Sequence, residues 1–153
     1  MSLRAYSEIN LHVVWRVKGD APVLRDTVEA QLHRYLWERA AREADVRVHA
    51  LGGTDNHVHL AVSVPPTLLI SKWVGELKGG RAHFINHEIV NRKVLEWQTG
   101  YGVLSFGSKD LPWVVEYIQK QREHHARAAT HDRLERAVAE EQENGAGKPA
   151  EAG

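Results

Sequence analysis

The stretch GGTDNHVHLAV, Gly52 to Val62, admits few structures. His57 and His59 alternate there with apolar Val58, Leu60 and Val62, and a strand sends every second side chain to the same face. Two imidazoles therefore leave one face of a strand side by side, while the other face is apolar. Just upstream, Val46, Val48 and Ala50 alternate with Arg47, His49 and Leu51. Gly52-Gly53 and Asp55-Asn56 supply turn chemistry between the two stretches, so the pattern predicts a hairpin with the histidines at the start of its second strand. Neutral imidazole is the commonest protein metal ligand, and a pair fixed on a strand is already oriented. Two ligands are not a site, and a third ligand and a reactive group have to come from elsewhere in the chain.

The remaining segments read as further strands and helices around this hairpin. Tyr6 to Lys18, YSEINLHVVWRVK, is rich in Val, Ile, Trp and Tyr and suits a covered strand. Asp26, with Glu29 three later, reads as a helix N-cap with a capping-box partner, and Val28, Leu32, Tyr35, Leu36 and Ala40 form one apolar stripe. Pro65-Pro66 close the second hairpin strand, and Thr67 or Ser71 caps a helix with the stripe Ile70, Val74, Leu77, Phe84 and Ile85. Gly79-Gly80 interrupt that stripe. Each glycine costs a helix about 1 kcal/mol relative to Ala, so the pair predicts a kink or a close approach by another group. Lys78 and Arg81 flank the glycines as candidate DNA-phosphate contacts, and a solvated basic patch accounts for them equally well. Leu95 to Gly107 reads as a short aromatic strand, a glycine turn and another strand. Ser108 or Asp110 then opens a last helix with Pro112 in its first turn and the stripe Leu111, Val115 and Ile118. Tyr117 and Gln121 are four apart on that helix and share a face, with His124 three further along.

Composition narrows the chemistry. The 153 residues contain no cysteine, which excludes disulfides, thiolate zinc sites and a cysteine nucleophile and leaves His, Tyr, Ser, carboxylates and amides. Hydrophobic residues at 42% and charged residues at 26% are those of a soluble globular domain. No apolar run reaches membrane-spanning length, and MSLRAYSEIN has no signal-peptide pattern, so a cytoplasmic protein is expected. The net charge of zero hides an asymmetry, because residues 132–153 carry six acids against three bases and leave 17 bases against 14 acids before them. One domain over residues 1–131 and an acidic tail over 132–153 are expected, with disorder from about Ala139. A mildly basic body permits nucleic-acid binding without demanding it.

Taken together, LHVVWRVK, GGTDNHVHLAVSVPPT, LKGGRAHFIN, WQTGYGVLSFG and YIQKQREHH resemble one family, the single-tyrosine HUH transposases of the insertion sequence 200/605 group. HUH denotes His, a hydrophobic residue, His. The resemblance runs from about Tyr6 to about Ala128. It implies an α+β fold, a small antiparallel sheet with helices packed on it, similar to RNA-recognition-motif and ferredoxin-like domains. It also implies that His57, His59 and Gln121 hold a divalent metal, Mg²⁺ or Mn²⁺, and that Tyr117 is the nucleophile. Lys120 stands where the family more often has Asn, and Arg81-Ala82 where it has small hydroxyl residues.

What the resemblance implies is chemically coherent. A metal on those ligands would neutralise phosphate charge, and Tyr117 would attack phosphorus to leave a 5′-phosphotyrosine and a free 3′-hydroxyl. The bond energy is retained in that link, so strands can be rejoined without ATP. The family acts on single-stranded DNA hairpins at element ends, as homodimers whose subunits share active sites. Two other readings of the residues stand beside it. One is a catalytically silent nucleic-acid-binding protein of the same fold, and the other is a metal-dependent hydrolase with a water nucleophile, in which Tyr117 would be dispensable. Tyr101 and His124 are reserves for nucleophile and ligand.

Overall fold

The computed structural model describes residues 5–84, 95–126 and 130–137. Their elements follow the order β1 (Asn10–Arg16), α1 (Asp26–Arg42), β2 (Arg47–Gly53), β3 (His57–Ser63), α2 (Ile70–Phe84), β4 (Gly102–Phe106), α3 (Leu111–Gln119), α4 (Gln121–Ala126) and α5 (Asp132–Glu135). The strands form one antiparallel sheet in the order β2-β3-β1-β4. The α+β class and the sheet-with-helices arrangement are as expected.

Strands β3 and β1 lie in the middle, where nearly every residue is buried. In register, Val14 stands opposite His59 and His12 opposite Ala61. One face of the sheet carries Leu11, Val13, Trp15, Val58, Leu60 and Val62. These pack with Leu32, Leu36 and Ala40 of α1 and Trp73, Val74 and Leu77 of α2 into the larger core. The other face carries small residues, and Ala50 and Ala61 meet Val114 and Ile118 of α3 there, with Phe106 alongside. Alternation in β1 and β3 therefore sends large apolar groups to one side and His12, His57 and His59 to the other.

Four expectations about the elements are modified. The helix from Asp26 is capped differently: the N-cap is Arg25, without a side-chain cap bond, and Glu29 instead pairs with Arg122 on α4. Helix α2 runs on through Gly79-Gly80 without ending. A Cβ on Gly80 would lie 2.4 Å from the Tyr35 hydroxyl, so the close-approach reading of the glycine pair is the one that applies. Ile85 lies outside the described residues. The last helix breaks at Lys120, whose ψ of 27° interrupts the turn and lets α4 start afresh at Gln121. Within the expected tail, a short helix, α5, forms at Asp132–Glu135 and buries Leu134. The rest of the expected tail, 138–153, lies outside the described residues.

Candidate active site

The hairpin turn that presents His57 also holds its ring. Asn56 Oδ1 and Thr54 Oγ1 each stand 2.8 Å from His57 Nδ1. A carbonyl oxygen can only accept, so Nδ1–H donates to Asn56, and the other nitrogen, Nε2, faces the helices. His59 is held from a different element, its Nδ1 lying 2.7 Å from His12 Nε2 of β1. Both strand histidines are fully buried and direct Nε2 towards the same point.

Three helices converge on that point. Gln121 is buried, and its Nε2 donates to the Tyr117 carbonyl at 3.1 Å. This bond fixes the amide so that Oε1 faces the rings, 3.2 Å from His57 Nε2 and 3.1 Å from His125 Nε2. Glu135 of α5 places Oε2 3.1 Å from His59 Nε2 and 3.4 Å from His57 Nε2. Ligand atoms of His57, His59, His125 and Glu135 all lie within 4.8 Å of one another.

Tyr117 completes the arrangement from α3. Its hydroxyl donates to Glu135 Oε1 at 2.6 Å and accepts from the His131 backbone N–H at 3.0 Å. Its ring stacks with those of Trp113 and His124, with centroids 5.6 and 4.8 Å away and planes tilted by 21° and 25°. A cleft of about 750 Å³ beside it is lined by Trp113, Val114, His131, Arg133 and Leu134, among others. One carboxylate thus touches the tyrosine with one oxygen and the histidines with the other.

Glycines permit these close approaches. A Cβ on Gly52 would sit 2.5 Å from the Ile118 carbonyl, and one on Gly102 would sit 1.9 Å from the Arg136 carbonyl. Helix α3 and the 130–137 segment therefore rest directly on bare backbone.

Over residues 5–121 the chain matches the family described as Transposase IS200 like. It belongs to that family. Among relatives of this IS200-like transposase is the ISDra2 transposase TnpA of Deinococcus radiodurans, 26% identical over 121 residues, which are 76% of this chain and 86% of the relative. A crystal structure described as a transposase from Deinococcus radiodurans superposes with a TM-score of 0.62 at 25% identity, covering 79% of this chain and 97% of the other. The structure of a REP-associated tyrosine transposase bound to a REP hairpin shares the fold, with a TM-score of 0.60, 19% identity and coverage of 82% and 73%. Among the described residues no helix is long and apolar enough to cross a membrane.

The site of this transposase is suited to a cation. With His57 Nδ1 donating, a neutral ring leaves its lone pair on Nε2, aimed at two further lone-pair atoms, Gln121 Oε1 and Glu135 Oε2. Three such atoms facing one another need a positive charge between them, either a proton on the ring or a metal ion. Burial lowers the neighbouring rings, His59 to about 4 and His12 to about 3, so they are neutral near pH 7 and His59 can ligate. Burial by itself would raise the Glu135 carboxyl, but hydrogen bonds from His57 and His59 hold it well below the usual carboxylate range. Burial and the bond to Glu135 push Tyr117 up to about 12, so it needs an acceptor for its proton before it can act as a nucleophile.

The residues named from sequence divide into two groups. His57, His59, Gln121 and Tyr117 come together. Lys78 and Arg81 sit on α2, which packs on the opposite face. The Lys78 ammonium donates to the carbonyls of Gln98 and Gly100 at 2.9 and 2.7 Å, and the Arg81 side chain lies outside the described residues. Tyr101 packs against the larger core, and His124 stacks on Tyr117 while His125 joins the cluster of His57, His59 and Glu135. Gln121 and His125 are one turn apart on α4, a spacing visible in QREHH. Glu135 was missed because nothing marks it among the acids of the C-terminal stretch.

Proposed function

We propose that this transposase cleaves and rejoins single-stranded DNA at hairpin-marked ends through a covalent link between Tyr117 and a 5′-phosphate, with a divalent ion held by His57, His59 and Gln121 together with His125 and Glu135. The observation carrying the reading is the bridging carboxylate, with Tyr117 Oη 2.6 Å from one Glu135 oxygen and His59 Nε2 3.1 Å from the other. A divalent ion bound there supplies neutralisation of the charge on the phosphate and orientation of the scissile bond. Glu135 Oε1 takes the phenolic proton as Tyr117 Oη bonds to phosphorus and the 3′-oxygen leaves. The ring contacts of Tyr117 with Trp113 and His124 would orient the phenol, and the cleft of about 750 Å³ beside Trp113 would receive the flanking nucleotide. Any phosphate contact by Lys78 or Arg81 would lie on the far face, away from the scissile bond. Three imidazoles favour Mn²⁺ over Mg²⁺. A hairpin substrate is supported by the hairpin-bound relative of the same fold.

The same geometry supports assembly of each site within one chain, since Tyr117 and the ligands of a single subunit meet. A homodimer that shares its sites, implied by the resemblance, is the competing arrangement. The deciding experiment for the activity is incubation of the full chain and Mn²⁺ with single-stranded DNA from the flanks of its own gene. A covalent complex that resists denaturant is expected. Binding without any adduct would make the protein a silent DNA-binding relative, and cleavage without an adduct would point to a water nucleophile.

A further inference from the structure

We propose that His12 is the positioning residue of His59, setting which nitrogen of that ring faces the cluster and, by reversing the one hydrogen bond they share, letting His59 exchange the Glu135 carboxylate for a metal ion with no net change in bound protons. This rests on the cluster being a metal site. His12 is 1% exposed, its ring centroid is 4.9 Å from that of His59, and its Nε2 is 2.7 Å from His59 Nδ1. A buried polar ring in the middle of a sheet is destabilising unless it is bonded. An apolar residue would fill the position without that requirement, as Val13 and Val14 do beside it.

The direction of the shared bond follows from what each state demands. Without metal, the Glu135 carboxylate only accepts, so His59 must donate to it from Nε2–H. A neutral His59 then has its lone pair on Nδ1, and His12 Nε2–H donates to it. With metal on His59 Nε2 that nitrogen carries no proton, Nδ1–H becomes the donor, and His12 Nε2 must accept. A lysine or arginine at position 12 could only donate and a carboxylate could only accept, whereas a neutral imidazole does either. In the exchange the proton on His59 Nε2 leaves, the shared proton passes from His12 to His59 Nδ1, and His12 Nδ1 gains one. A cleft of about 600 Å³, lined by His12, Gly102 and Arg136 among others, gives that last proton a route to solvent.

The test uses the full chain with ¹⁵N-labelled histidine, with long-range ¹H–¹⁵N spectra recorded without metal and with Zn²⁺ as a diamagnetic probe, and Mn²⁺ affinity read separately from the free-ion EPR signal. The wild-type spectra should show His59 protonated on Nε2 without metal and on Nδ1 with it, and His12 changing in the opposite sense. His12→Phe should bind Mn²⁺ about 10- to 100-fold more weakly, and His12→Gln, whose amide can donate or accept, should recover most of that loss. A His59 tautomer that does not change on Zn²⁺ binding would overturn the proposal, and so would equal Mn²⁺ affinity in wild type and His12→Phe. The wild-type spectra decide the matter even if the Phe variant does not fold. A wild-type chain that binds neither ion would overturn the metal reading itself, a failure distinct from an unchanged tautomer in a chain that does bind.

Discussion

In the proposed mechanism the covalent step falls on Tyr117 and Glu135, which share a hydrogen bond. A phenol pushed up to about 12 is a poor nucleophile near pH 7 unless its proton has a destination, and the carboxylate at 2.6 Å supplies one. Tyr117→Phe is therefore expected to abolish the covalent adduct and leave hairpin binding unchanged in a gel-shift assay; an adduct persisting in that variant would assign the nucleophile elsewhere. Glu135→Gln keeps the shape and removes the charge and the proton acceptor. Adduct formation should slow by roughly 10²- to 10⁴-fold, with weaker Mn²⁺ binding, and an unchanged rate would remove Glu135 from the chemistry. The buried rings also set a pH dependence. Burial lowers His12 to about 3 and His59 to about 4, against an ordinary value of 6.5. The unfolded chain then binds more protons than the folded one below pH 6.5. The metal-free protein is at full stability above that value and loses about 1.4 kcal/mol per pH unit for each ring as the pH falls towards 4. Glu135, held low by its partners, acts in the same direction. Urea midpoints followed from pH 7 to 4 measure this, and a flat profile would mean the rings are not buried in neutral form.

Among the elements, the 130–137 segment has the largest effect for its length. Its backbone crosses β4 at Gly102, where a Cβ would lie 1.9 Å from the Arg136 carbonyl. Leu134 anchors it, and Glu135 then reaches the cluster from one short turn of helix. Ending the chain after Ala139 should leave folding and cleavage intact, whereas ending it after Thr130 removes Glu135 and should reduce cleavage as much as Glu135→Gln does. Gly102→Ala tests the docking without shortening the chain. A methyl group there clashes with the Arg136 carbonyl and with Val14 Cγ1, and such overpacking typically costs about 1–3 kcal/mol. Cleavage should fall in that variant while the bulk of the fold survives, as read by thermal melting and adduct yield together. Equal adduct yields from the two truncations would show that the segment is a passive cover.

At the level of the molecule, the arrangement of the site bears on assembly. Tyr117, His57, His59, Gln121, His125 and Glu135 all meet within one chain, which supports the proposal of sites built within a subunit over shared ones. Coexpressing a Tyr117→Phe chain with a His57→Ala chain distinguishes the two arrangements, because mixed dimers regain one intact site only if helices are exchanged. The expected result is no adduct from confirmed mixed dimers. Restored adduct would establish sharing and identify which chain carries the DNA.

Local patterning was enough to fix much of this from the chain alone. The alternation in LHVVWRV and HVHLAVS decides which side chains face the apolar core and therefore that His57 and His59 face away from it, because a strand allows only two directions. The spacing of Tyr117 and Gln121 places both on one helical face, and Asn56, legible as a turn residue, also holds His57. The other contributions to the site depend on contacts between distant segments. His12 meets His59 across 47 positions and Glu135 meets it across 76, and no local period relates residues so far apart. The choice of His125 over His124 is left open by the spacing alone, because both lie about one turn from Gln121, and only the packed structure brings His125 Nε2 to Gln121 Oε1. Lys78 reads as a basic surface residue, but its ammonium is bonded to two carbonyls that only the folded chain brings beside it. Sequence periodicity sets the direction of each side chain relative to its own element, and which elements then face one another is settled by packing: here, by bare glycine backbone at Gly52 and Gly102 that lets α3 and the final segment close over the histidines.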